Sequence, residues 1–69
     1  MAFKEQRLKA GLSAEATAVK LGVTRQSVYG WEKGLYLPSA NILRKLADVY
    51  GCTMEELLEG EDRSNDESV

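Results

Sequence analysis

Histidine is absent from this chain of 69 residues, which removes the usual general base and the commonest metal ligand. Cysteine occurs once, at Cys52, so neither an internal disulfide nor a thiolate cage around zinc can form. No apolar run exceeds three residues, which leaves no candidate for a membrane-spanning helix or the core of a secretory signal. The expectation is a soluble cytoplasmic protein that contacts neither membrane nor metal. No nucleophile–base pair can be assembled from this inventory, so an enzyme is not expected, and no cofactor is called for. What is present is ordinary globular composition, 43% hydrophobic and 29% charged. The length allows one small domain. A core of that size supplies only about 3–5 kcal/mol, so the helices must pack economically or the chain must dimerise.

The net charge of −2 conceals an uneven spread. Residues 1–54 carry eight basic side chains (Lys4, Arg7, Lys9, Lys20, Arg25, Lys33, Arg44 and Lys45) against four acidic ones. Residues 55–69 reverse the balance, with seven acidic side chains and Arg63 as the one basic group. A basic body with an acidic tail suits a polyanion-binding domain, although a solvated surface with a solubilising tail has the same pattern.

Five short helical patterns follow one another, and none alternates with the period of two that a strand needs. The first covers about Ala2 to Ala10, with Phe3, Arg7 and Ala10 on one face and Gly11 as the stop. Ser13 offers an N-cap for 14–21, where Ala14, Thr17, Ala18 and Leu21 fall on one side before Gly22. Thr24 caps a helix over 25–33, with Val28 and Trp31 inward and Glu32 on their flank, and Gly34 ends it. Leu35–Pro38 is extended or turn-like, because a residue before proline avoids the helical region. Ser39 caps 40–50, with a core stripe of Leu43, Leu46, Ala47 and Tyr50. Thr53 and Glu56 form a capping box for 54–59. Residues 61–69 have too little apolar content to fold and are expected to be a disordered acidic tail.

The functional signal lies in 14–34. A short helix ends at Gly22 and the next starts after Thr24, the spacing that joins helix-turn-helix pairs. Ala18 is small where the two helices would cross. With Val28 and Trp31 turned inward, the third helix keeps an outer face of Arg25, Gln26, Tyr29 and Lys33. Arginine and glutamine are side chains that read guanine and adenine edges with two hydrogen bonds each.

Over about residues 3–60 the chain resembles the helix-turn-helix family of phage Cro and lambda-type repressors, the xenobiotic-response-element-like regulators. The resemblance runs through Gly11-Leu12-Ser13, Ala18 and Leu21-Gly22-Val23-Thr24-Arg25-Gln26-Ser27-Val28. It continues through Trp31-Glu32-Lys33-Gly34, Pro38-Ser39, Leu43, Ala47, Gly51 and Glu55-Glu56-Leu57-Leu58. It implies an all-α, compact five-helix bundle, a lambda repressor-like domain over 1–60. The third helix would enter the major groove of double-stranded operator DNA, commonly as a homodimer. Ala14 stands where the family usually has Gln, which leaves the Ser13 hydroxyl and nearby amides to hold phosphate. Thr17 replaces a usual Leu, so a thinner core is expected under the second helix. Val19 stands outward where a charge is usual. Gly30 removes one reading side chain from the outer face, at a helix cost of about 1 kcal/mol.

These features assign Arg25 and Gln26 to base contacts and Thr24 and Lys33 to phosphates, which position a helix without carrying sequence information. Tyr29 either stacks on the DNA or covers the surface, and Ser27 either binds phosphate or is an inert hydroxyl. The resemblance implies that Arg7 and Glu32 form a partly buried ion pair fixing the angle of the third helix. Cys52 stands where the family has a small apolar residue and reads as a structural thiol. Ile42 and Val49 are satellite core or, with Leu37, Met54 and Leu58, part of a dimer seam. The leading function is a sequence-specific regulator, a repressor that excludes polymerase from a promoter. The alternative is a protein-interaction module or antitoxin-type partner of the same fold.

Overall fold

The computed structural model describes residues 1–59, and the expected acidic tail at 61–69 lies outside them. The element order is α1 (Phe3–Lys9), α2 (Ala14–Leu21), α3 (Arg25–Lys33), α4 (Ala40–Tyr50) and α5 (Met54–Leu58). There is no strand among the described residues. The bounds of α2, α3 and α4 coincide with the sequence reading. Those of α1 and α5 are one residue shorter at their soft ends.

Side chains set the starts of four helices. The hydroxyls of Ser13, Thr24, Ser39 and Thr53 accept from the amides of Ala16, Ser27, Ile42 and Glu56. Each satisfies an amide that the helix itself leaves unpaired. At Thr53 the bond is reciprocated, since the Glu56 carboxylate accepts from the Thr53 amide at 2.9 Å. Ala2 supplies no such side-chain bond to α1.

Glycine governs the turn after α2. Gly22 has φ 73°, a left-handed backbone that a Cβ disfavours. From there its amide reaches the Val19 carbonyl at 3.3 Å, and the Val23 amide reaches Ala18 at 3.0 Å. The chain is thereby turned within three residues into the cap of α3.

The core collects one stripe from each helix: Phe3, then Ala14, Ala18 and Leu21, then Val28 and Trp31, then Leu46, Ala47 and Tyr50, then Leu57. Leu46 and Leu57 are fully buried. Leu43 is only half-buried and packs against the cluster from its edge. At Thr17, where a thinner core is expected, the side chain is fully buried, its hydroxyl donates to the Ser13 carbonyl at 3.0 Å, and Tyr50 is a further hydrogen-bond neighbour. The Ala2 amide donates to the Leu57 carbonyl at 2.9 Å, which closes the first helix onto the last.

Candidate nucleic-acid interface

α3 is fixed on its inner side and bare on its outer side. Val28 is 1% exposed and Trp31 6%, each worth roughly 1.5–3 kcal/mol when buried. Arg25, Gln26, Tyr29 and Lys33 are exposed.

The angle of α3 is set by an ion pair to α1. The Arg7 guanidinium donates from Nε to Glu32 Oε2 at 2.6 Å and from Nη2 to Oε1 at 3.2 Å. Its Nη1 donates to the Leu12 carbonyl at 3.0 Å, so the same group also holds the turn before α2. Only 9% of the Arg7 side chain and 6% of Glu32 remain exposed. The hydrogen bond with Glu32 raises the guanidinium above its ordinary value, against the opposing effect of burial. Two planar groups joined by two bonds leave little freedom in the crossing of α1 and α3.

At the start of α3 the Thr24 hydroxyl accepts from the Ser27 amide at 3.1 Å and shares a hydrogen bond of 3.1 Å with the Ser27 hydroxyl. Ser27 is half-buried and already engaged. Ser13 Oγ accepts from the Ala16 amide, which leaves its hydroxyl proton to donate outward. Arg25 lies 3.9 Å from Glu15 of α2, with 63% and 75% of the two side chains exposed, too open a pair to contribute much. α3 has no acidic residue in its first turn, and Arg25 stands at the positive end of the helix dipole. A cation there is unfavourable for the free fold by about 0.3–1 kcal/mol, whereas a bound polyanion reverses the balance.

Two shallow clefts flank Tyr29. One, of about 350 Å³, is lined by Gln26, Tyr29, Gly30, Lys33, Leu35 and Tyr36. The other, of about 440 Å³, is lined by Lys4, Arg7, Tyr29, Glu32 and Lys33. Of the residues singled out from sequence, Gln26, Tyr29 and Lys33 therefore share a surface, while Ser13 stands at the start of α2 and Thr24 and Arg25 at the start of α3. Two participants were missed. Lys4 adds a cation from α1, and its place in a run of polar residues gave no signal. Tyr36 belongs to the α3–α4 connection, where helical periodicity does not reach.

Gly30 stands on the outer face in the sequence reading, where it removes one reading side chain; the structure buries it beneath the Tyr36 ring. The Tyr36 hydroxyl donates to the Gln26 carbonyl at 3.4 Å. Cys52 is a half-buried free thiol, and burial pushes it above its ordinary value. Among the described residues there is no metal-binding group of His, Cys, Asp and Glu, and no helix is long and apolar enough to cross a membrane.

Residues 3–57 match the helix-turn-helix family. The chain is 38% identical over 55 residues to an uncharacterised HTH-type transcriptional regulator of Archaeoglobus fulgidus, covering 80% of this chain and 79% of that one. It is 39% identical over 60 residues to an uncharacterised HTH-type transcriptional regulator of Methanocaldococcus jannaschii, covering 87% and 91%. With the HTH-type transcriptional regulator AnsR of Bacillus subtilis it shares 39% identity over 54 residues, 78% of this chain and 47% of AnsR. No solved structure matches significantly.

Proposed function

The chain belongs to the helix-turn-helix family of DNA-binding transcriptional regulators, and from that premise we propose that it is a sequence-specific repressor whose α3 enters the major groove of an operator. The observation that carries this reading is the division of α3, with Val28 and Trp31 buried and Arg25, Gln26, Tyr29 and Lys33 exposed together. Arg25 and Gln26 read base edges. Lys33, Thr24 and Ser13 hold phosphates on either side. Ser27 acts indirectly, by steadying the Thr24 hydroxyl. Bound over a promoter, such a domain represses by occupying the site.

The chain acts as a homodimer on a pseudo-palindrome with half-sites about 34–36 Å apart, because two-fold protein symmetry is copied onto the duplex. The exposure of Leu37 (60%) and Leu58 (41%), with Ile42, Val49 and Met54 only half-buried, supports that seam.

The test is DNA affinity across a salt series with three single variants. Arg25→Ala and Gln26→Ala are each expected to remove about 1–3 kcal/mol of discrimination between operator and random duplex. Lys33→Ala is expected to weaken all duplexes alike and lower the salt slope by about one. Equal losses on specific and random DNA from all three would refute direct reading by α3.

A further inference from the structure

The helix itself does not explain Gly30. Its backbone is ordinary helix rather than left-handed, and glycine inside a helix is destabilising relative to alanine. What occupies the space of its missing side chain is the ring of Tyr36. A Cβ at position 30 would overlap Cζ and Oη of that ring and stand 2.8 Å from Cε1. The ring comes from the connection beyond α3 and lies back along the helix, with its hydroxyl donating to the Gln26 carbonyl one turn away. Tyr36 nevertheless remains 49% exposed. Where the outer face of α3 lacks a side chain of its own, an aromatic from the connection takes the place.

The neighbours of that ring define what it fits. Leu35, Tyr29 and Tyr36 give the cleft apolar walls, all of them well exposed, while Gln26 and Lys33 supply its polar groups. The major groove presents one apolar feature on its base edges, the 5-methyl group of thymine. With Lys33 at the same cleft, a phosphate would be held alongside, which fits an approach to a groove wall rather than to an apolar protein surface.

We infer that Tyr36, seated in the slot opened by Gly30, is a specificity-determining residue whose ring forms a pocket beside Gln26 for a thymine methyl group. This rests on the DNA-binding reading above and adds to it a base preference and the residue that sets it. The competing role is a latch that pins the α3–α4 connection without touching DNA.

The full chain first selects its preferred duplex from a random-sequence pool. Fluorescence anisotropy then measures binding to that duplex and to versions in which each thymine is replaced singly by deoxyuridine, which removes only the methyl group. Wild type is expected to lose about four-fold in affinity at one such position, the transfer value of one buried methyl group. Tyr36→Ala is expected to show no loss there, because the apolar wall that receives the methyl group is gone. Gly30→Ala displaces the ring without removing it and should lose the same sensitivity, whereas Tyr36→Phe should keep it. Thermal melts of each variant establish folding, and Gly30→Ala carries the comparison if Tyr36→Ala does not fold. Wild-type binding insensitive to every thymine methyl group, or a sensitivity unchanged in both displaced variants, would overturn the inference and leave the DNA-binding reading standing. Failure of wild type to enrich any duplex would overturn both.

Discussion

Glu32 offers both carboxylate oxygens to Arg7, and the guanidinium has surrendered most of its contact with water to receive them. Removing the carboxylate leaves that cation buried without its partner. Glu32→Ala is expected to cost on the order of 3–5 kcal/mol, seen as a lowered denaturation midpoint. Changing Arg7 and Glu32 together to leucine should recover much of the loss, because the desolvation of both charges disappears with them. A double variant no more stable than the worse single would count against this account. Tyr50 gives a second residue-level test. Burial pushes its phenol above the ordinary value of 10.0, and the Thr17 hydrogen bond works in the opposite direction. With the folded value raised, the stabilisation is complete below the unfolded value of 10.0 and is lost as pH rises through the folded one. Urea unfolding between about pH 8 and 11 should show wild type losing stability more steeply than Tyr50→Phe, and parallel curves would contradict it.

At the level of elements, the turn between α2 and α3 depends on one backbone conformation. Gly22→Ala meets no steric neighbour, yet it must hold φ 73°. The expected cost is about 1–2 kcal/mol, measured by thermal melting, with the loss confined to backbone strain. A melting temperature unchanged from wild type would show that the turn relaxes freely. The same local chemistry explains why the three middle helices were legible in sequence to the residue: Ser13, Thr24 and Ser39 mark their starts, and glycines mark their ends. α1 was read one residue too long at each end, at Ala2 and Ala10, and α5 one residue too long at Glu59; none of these positions carries such a mark, and helix ends without a cap fray. The outer face of α3 was legible because periodicity sorts residues within one helix. The burial of Gly30 was not legible because its neighbour is Tyr36, from outside the helix, and no period within α3 registers a ring folding back. Thr17 was placed correctly on the inner side of α2, and its polar group is tolerated there because the hydroxyl is satisfied within its own helix turn.

For the whole molecule, the acidic formal charge is compatible with a polyanionic partner because its carriers are segregated along the chain. Residues 61–69 hold Glu61, Asp62, Asp66 and Glu67 against Arg63. Deleting them is expected to raise DNA affinity, most at low salt, where the screening length is about 30 Å at 0.01 M against about 8 Å at 0.15 M. Affinities of chains 1–60 and 1–69 that coincide at every salt would show that this segment does not act on the bound phosphates. The bond between the Ala2 amide and the Leu57 carbonyl acts at the same scale. Helical assemblies usually begin to come apart at their ends, each end opening independently. Here the first helix cannot peel away without uncovering Phe3 and breaking its hold on the last, and the last cannot leave without uncovering Leu57. The first and last helices are thus expected to open as one unit, which carries the cooperativity of the domain to its edges.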